Sequence, residues 1–302
     1  MMKKSEQSHR EVLPTGSLKL DIASGIGGYP KGSLVELFGG SPSGKTTLGL
    51  HAVAEAQRQG VNCLFIDLEK TLSPSYAAAL GACPRRTWIA QPDSGEEALE
   101  TAYRALRDGD FGLVVLDTLA ALVPRRELAA GKSRPAGGEI KSLLTPALPR
   151  LRTALRNHRG LLLCINQTRT RLKVRYGTPQ TTPGGMGVKL QAALRIKLER
   201  RGLILRAGSI QGDRIRATII KNRMNSTSCS VNFNIVYNSG IEKEQEICSL
   251  AIKKQIIGRE QSQYTFIDQK LGKNPQEIIN YLRKNPDLSD RLENELRRVF
   301  LT

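Results

Sequence analysis

The chain has 302 residues, 39 % of them apolar and 25 % charged, and its 46 Lys and Arg against 28 Asp and Glu leave a net charge of +18. That length and composition suit one large globular domain plus a small second one, and the surplus of cations favours a polyanionic partner, nucleic acid first and an anionic membrane surface second, over a merely basic soluble protein. A membrane-spanning helix, a secretory signal, a disulfide framework and a zinc site are not expected: no apolar run reaches ~18 residues, "MMKKSEQSHR" has no apolar stretch behind it, the five cysteines lack Cys-x-x-Cys spacing and His9, His51 and His158 are scattered. A reducing cytoplasm fits.

In chain order, residues 1–10 are polar and are expected to be disordered. From residue 11 to about 240, short apolar strands alternate with amphipathic helices. "LVELFGG", "NCLFIDLE", the start of "FGLVVLDTLAAL" and "GLLLCINQ" read as strands apolar on both faces, as in a parallel sheet covered by helices. Thr47 to Gln59 and Gly95 to Arg107 read as the helices between them. "RIRATIIKNRMN" and "SVNFNIVYN" alternate in the manner of an antiparallel extension. From residue 241 to 302 the chain is charged and mostly helical, with a short "QYTFID" strand, and reads as a small α+β domain. In "NPQEIINYLRKNP", Asn274 caps a helix with Pro275 at its first position and Glu277 two residues on, and Asn285-Pro286 ends it.

"GGSPSGKTT" carries Gly39, Ser43, Gly44, Lys45 and Thr46 in the spacing G-x-x-x-x-G-K-[ST], after a strand and before a helix that Thr47 continues. Glycines let successive backbone N–H groups turn toward one anion, and the helix N-terminus adds partial positive charge. Lys45 neutralises terminal phosphates and the Thr46 hydroxyl suits Mg²⁺. Asp117 ends an apolar strand and either holds Mg²⁺ through water or caps a turn. Glu69, beyond another strand, either orients and deprotonates an attacking water or is a surface residue. Gln167 ends the fourth strand; its amide both donates and accepts, so it can sense a γ-phosphate. Beyond it, Arg169, Arg171, Lys173 and Arg175 share a parity, so an extended backbone presents them on one side, to successive phosphates or to solvent. Tyr176 suits stacking on a base. Thr181 and Thr182 can donate to phosphates, and Gly184 and Gly185 let the segment change shape.

"LPTGSLKLDIASGIGGYPKGSLVELFG", "FIDLEKTLSPSYAAALG", "QPDSGEEALE", "LVVLDTLAALVP" and "INQTR…YGTPQTTPGG" together resemble the bacterial RecA recombinases, in order and spacing, from about residue 12 to the C-terminus. The resemblance implies an α/β fold: a RecA-like P-loop NTPase core with a mainly parallel central sheet flanked by helices, plus the small C-terminal domain. It implies a DNA-dependent ATPase using ATP and Mg²⁺, with single-stranded and duplex DNA as partners, acting in strand exchange, DNA repair and the SOS response. Self-association into a filament or ring, with ATP at the protomer interface, is implied too. By position, Glu69 resembles the catalytic glutamate, Gln167 the γ-phosphate switch and Tyr76 the residue that stacks on adenine. Lys221 and Arg223 resemble the two cations that reach a neighbouring protomer's nucleotide; read by themselves, two residues apart, they equally suit an exposed strand face. The family's two DNA-binding loops map to about 125–139 and 168–186, and the first carries Arg125, Arg126, Lys132 and Arg134.

The sequence departs from the family pattern at Ser73 and Ser41, where acidic residues are usual, so weaker nucleotide selectivity is expected. Only about a dozen residues precede "LPTGS", where the family carries an N-terminal oligomerisation element, and "ELRRVFLT" stands where it often has an acidic tail. Weakened self-association and stronger, more salt-sensitive DNA binding are the expectations. A RecA-like accessory DNA-binding protein with reduced filament formation is the alternative, and a hexameric helicase or signalling ATPase fits the "QTTPGG" stretch less well.

Overall fold

The computed structural model describes residues 11–131, 137–170, 180–206, 208–225, 228–260, 262–267 and 269–301. Strand β1 (Val12–Leu13), helix α1 (Leu18–Ser24) and strand β2 (Tyr29–Pro30) come first, with β1 and β2 paired antiparallel. The alternation follows: β3 (Ser33–Gly39), α2 (Lys45–Arg58), β4 (Cys63–Asp67), α3 (Pro74–Ala79), β5 (Thr87–Ala90), α4 (Gly95–Arg107) and β6 (Leu113–Asp117). Then come α5 (Arg125–Ala129), α6 (Gly137–His158), β7 (Leu161–Gln167), the short pair β8 (Arg169–Thr170) and β9 (Gln180–Thr181), and α7 (Gly185–Gln191). Four strands close the core: β10 (Leu194–Arg206), β11 (Ser209–Asn222), β12 (Ser230–Val236) and β13 (Gly240–Ile241). The C-terminal part is α8 (Lys243–Lys253), β14 (Gly258–Glu260), β15 (Gln263–Phe266), β16 (Gln269–Gly272), α9 (Pro275–Lys284) and α10 (Pro286–Leu301).

Among the described residues the main sheet has nine strands in the order β13-β12-β11-β10-β3-β7-β6-β4-β5. The six from β10 to β5 run parallel, and β11, β12 and β13 extend them antiparallel. Strand period two sorts the side chains. Val35, Leu37, Phe65, Val115, Leu163 and Ile165 pack with α2 on one face. Leu34, Leu64, Ile66, Val114, Leu116 and Leu162 pack with α4 and α6 on the other. Both faces are therefore dry, which is why these strands read as unbroken apolar runs. A third cluster holds Ile247, Ile257, Leu271, Ile278, Leu282, Leu292 and Leu296 together with Leu18 of α1.

One element has other bounds than the sequence reading, and two were not read from the sequence at all. Helix α2 begins at Lys45 and ends at Arg58, not Thr47 to Gln59. Helix α6 falls on a stretch with Pro146 and Pro149 inside it, whose ring geometry argues locally against a helix; burial of Ile140, Leu144, Leu148, Leu151 and Leu155 against the sheet outweighs that. Strand β10 is rich in cations, yet Leu194, Ile196 and Leu198 alternate into the core.

Candidate active site and nucleic-acid interface

Strand β3 delivers the chain to the phosphate loop at the C-terminal edge of the parallel sheet. A Cβ added at Gly39 lies 2.1 Å from the Leu198 carbonyl oxygen, and one at Gly44 lies 2.3 Å from Ile235 Cδ1. Both glycines are thus set by close packing against β10 and β12, and Gly44 also caps α2 with φ +75. Lys45 is buried and its ammonium donates to the Gly40 carbonyl at 2.8 Å and to Ser43 Oγ at 3.1 Å. Burial lowers its pKa, and Asp117 and Glu69 oppose that shift.

Thr46 Oγ1 donates to Asp117 Oδ2 at 2.6 Å. Burial pushes the Asp117 carboxyl up to about 6, with Glu69 and Asp67 adding to the rise and the Thr46 bond and Lys45 opposing it. Gln167 Nε2 donates to Glu69 Oε1 at 3.0 Å, so the side chains read as sensor and base are in direct contact across the mouth of the loop. Thr168 N donates to the Gly39 carbonyl at 3.1 Å, which ties the exit of β7 to the start of the phosphate loop. Tyr76 is half-buried, and its hydroxyl and that of Thr47 share a hydrogen bond at 2.8 Å. Ser73 caps α3 by accepting from Tyr76 N. Lys45, Thr46, Glu69, Asp117 and Gln167 thus converge from β3–α2, β4, β6 and β7 onto one loop.

The model of the RecA N-terminal domain matches residues 1–242. Protein RecA of Aquifex aeolicus (strain VF5) is 38 % identical over 298 residues, 99 % of this chain and 86 % of the relative. Protein RecA of Nitrobacter winogradskyi is 39 % identical over 288 residues, 95 % of this chain and 80 % of its own length. Protein RecA of Blastochloris viridis is 40 % identical over 290 residues, again 95 % of this chain and 83 % of its own.

The chain belongs to the RecA family.

Membership carries the family's function, recombination in DNA repair. Lys221 lies at the end of β11 and Arg223 just past it. Lys221 Nζ donates to the carbonyls of Lys189 and Leu190 at 2.7 and 3.0 Å, and Arg223 Nη2 donates to Leu190 O. The bland reading of an exposed strand face is therefore too simple: both cations hold the last turn of α7. Burial lowers the Lys221 pKa, with Arg223 and Arg195 adding to that and Glu36 opposing it.

Parts of the two expected DNA loops, about 125–139 and 168–186, fall in regular structure. Arg125–Ala129 is helical and Gly137 opens α6. Arg125 and Arg126 are exposed on α5; Arg125 Nε donates to Ser94 Oγ at 3.3 Å and Arg126 Nε lies 3.8 Å from Glu127 Oε1. In the second loop Arg169 is exposed on β8 and pairs in register with Thr181 on β9. Thr182 is only 4 % exposed and Gly184 is buried, so neither faces an outside ligand in this conformation. A Cβ at Gly184 lies 2.7 Å from Leu144 Cδ1, so that glycine serves close packing on α6, and Gly185 belongs to α7. Lys132, Arg134, Arg171, Lys173, Arg175 and Tyr176 lie outside the described residues, as does the segment 1–10.

Sequence reasoning passed over four polar residues near this site. Asp67 accepts from Leu72 N at 3.0 Å and from Gln91 Nε2 at 3.1 Å, fixing the turn that carries Glu69. Glu36, Asn166 and Arg195 are buried inside strands that otherwise read as core. The available signal was polarity itself: Glu in "LVELF" and Asn in "LLLCINQ" cannot be buried without partners.

Proposed function

We propose that this chain is an ATP-dependent DNA recombinase that binds single-stranded DNA, hydrolyses ATP in a DNA-dependent way, and pairs the strand with homologous duplex for exchange. It works in the cytoplasm, through self-association that places ATP at an interface between copies, as part of the response to DNA damage. The core spans residues 11–240 and a small C-terminal domain spans 241–302. No helix among the described residues is long and apolar enough to cross a membrane.

The observation that carries the reading is the pair of side-chain contacts at one loop mouth, Thr46–Asp117 and Gln167–Glu69. The site's chemistry fits a magnesium nucleotide. Thr46 and Asp117 offer hard oxygen donors of the kind Mg²⁺ takes, and the Lys45 ammonium rests on the loop's own Gly40 carbonyl and Ser43 hydroxyl, which a phosphate can replace. Bound Mg²⁺ supplies neutralisation of phosphate charge. The chain's own residues do the rest. Backbone N–H groups of Ser43, Gly44, Lys45 and Thr46 at the N-terminus of α2 hold the phosphates. Glu69 orients water and takes its proton, and Gln167 leaves Glu69 to donate to the γ-phosphate. Tyr76, held by Thr47, supports the base. Lys221 and Arg223 stabilise the phosphoryl charge on a neighbouring copy.

The test combines ATP, Mg²⁺ and single-stranded DNA. DNA-stimulated hydrolysis together with filaments in electron micrographs supports the reading. Absence of both with folded protein rejects it, and hydrolysis without filaments replaces it with the accessory role.

A further inference from the structure

A row of polar contacts, Gln167–Asn166–Glu36–Arg195, runs through the core beside the nucleotide site. Asn166 is fully buried at the end of β7; its Oδ1 accepts from Gln167 N at 3.0 Å, and its Nδ2 donates to Glu36 Oε1 at 2.9 Å and to the Pro183 carbonyl at 3.1 Å. Glu36 is fully buried on β3, and its other oxygen accepts from Arg195 Nε at 2.5 Å. Arg195, stacked 4.6 Å over the Phe38 ring, is the register neighbour of Glu36 on one side and of Lys221 on the other. Lys221 in turn grips the last turn of α7. Pro183 directly precedes Gly184, the N-terminal cap of the same helix. Helix α7 is therefore held at its start by Asn166 and at its end by Lys221; Asn166 reaches Arg195 through Glu36, and Arg195 is the strand neighbour of Lys221.

The arrangement is more than core satisfaction. A fully buried carboxylate between an arginine and an amide is expensive to assemble and, by itself, weak support for stability. It joins Gln167, the exit of the second DNA segment and the two cations at Lys221 and Arg223, which are far apart in sequence. The Thr182 hydroxyl, one residue before Pro183, is buried with no hydrogen-bond partner among the described residues. The exit segment is thus incompletely satisfied in this arrangement, as expected of an element with a second position.

Resting on the recombinase reading above, we propose that Asn166, Glu36 and Arg195 are positioning residues that couple the nucleotide sensor to the DNA segment and to Lys221 and Arg223. Movement of Gln167 toward a phosphate displaces the Asn166 amide that its N–H contacts. That alters the hold on Pro183, and α7 then shifts and releases the two cations from the carbonyls of Lys189 and Leu190. The Glu36–Arg195 pair keeps the row rigid, so displacement is transmitted rather than absorbed.

Two variants test the proposal. Glu36→Gln keeps an acceptor for Asn166 and removes the charge that holds Arg195; Asn166→Ser removes the bonds to Glu36 and Pro183 without burying a new charge. For either, stimulation of kcat by single-stranded DNA is expected to fall about tenfold, within the ~5–150-fold range of coupling energies, while KM for ATP and DNA-free hydrolysis stay within about twofold. Hydrogen exchange of peptides covering 183–192 supplies a readout independent of hydrolysis. Adding a non-hydrolysable ATP analogue changes exchange there in the parent and leaves it unchanged in both variants. Folded variants that keep the parent's DNA stimulation and its nucleotide-dependent exchange overturn the proposal. If Glu36→Gln does not fold, Asn166→Ser decides alone. A parent without ATPase activity, but with exchange at 183–192 that still responds to nucleotide through Asn166, rejects the recombinase reading and keeps the positioning role of Asn166, Glu36 and Arg195.

Discussion

Replacing Glu246 by Gln should remove a pH-dependent liability at the seam between the core and the C-terminal elements. Glu246 lies on α8 and is 3 % exposed. Its carboxylate accepts from Ser17 Oγ at 2.8 Å and from Lys19 N at 3.1 Å, at the start of α1. Burial pushes its pKa from 4.5 up to about 7, against the lowering effect of the Lys19 and Ser17 hydrogen bonds. A raised carboxyl pKa means that the folded state binds the proton more tightly than the unfolded chain. Glu246 therefore contributes its stability while protonated, below about 4.5, and that contribution is lost as pH rises toward and through the folded value of about 7. The shift corresponds to about 3 kcal/mol at 1.36 kcal/mol per unit. Glu246→Gln stays neutral at every pH and keeps an acceptor for Lys19 N. Urea unfolding at several pH values from about 5 to about 8, with parent and variant compared at each, isolates the effect of Glu246 and its coupling to Asp21, because His51 and the titrating groups remote from Glu246 cancel in the difference. The variant should gain on the parent progressively with pH, by up to about 3 kcal/mol. A difference that is flat across this range, or that favours the parent at high pH, refutes the reasoning.

Four further outcomes follow from the site. Glu69→Gln keeps the bond to Gln167 but cannot take a proton, so DNA-stimulated kcat should drop about 10²–10⁴-fold in steady-state assays while nucleotide affinity holds; a variant as fast as the parent excludes Glu69 as base. Gln167→Ala should bind ATP as the parent does, yet lose the tightening of DNA affinity by nucleotide, read from fluorescence anisotropy with and without an ATP analogue; retained tightening removes Gln167 as the sensor. DNA affinity should fall steeply with salt, because each phosphate contact contributes about −0.7 to the log–log slope for a single strand and the four cations from Arg169 to Arg175 together give roughly −3; an affinity indifferent to salt contradicts this. Gly39→Ala drives a methyl group to 2.1 Å from the Leu198 carbonyl, a backbone atom that cannot yield, and should cost about 2–3 kcal/mol in thermal unfolding; an unchanged melting temperature would show that β3 and β10 are not so tightly joined.

Much of this site was legible in the order of residues because its chemistry is local. The phosphate loop needs glycines, a lysine and a hydroxyl within one strand–turn–helix, and all lie between Gly39 and Thr47. Asp117 and Gln167 were recognisable because each ends an apolar strand, and parallel strands place their C-terminal ends along one edge. Their actual partners were not legible. Thr46 meets Asp117 across 71 positions and Gln167 meets Glu69 across 98, and no local pattern encodes such pairings. Thr182 and Gly184 lie in the connection between β9 and α7, as their composition suggests, but packing against α6 buries Gly184 and the fold encloses Thr182.

The sequence by itself determined the α/β class, the phosphate loop, the order of the strands along the chain and the family, since periodicity and short motifs act over a few residues. Only the tertiary structure decided which strands lie side by side. By seating β3 between β7 and β10 it brought Glu36 against both Asn166 and Arg195, and Arg195 beside Lys221. The physical reason is that a buried charge tolerates only a site where partners meet it from neighbouring strands, and which strands are neighbours is settled by packing both faces of the whole sheet at once.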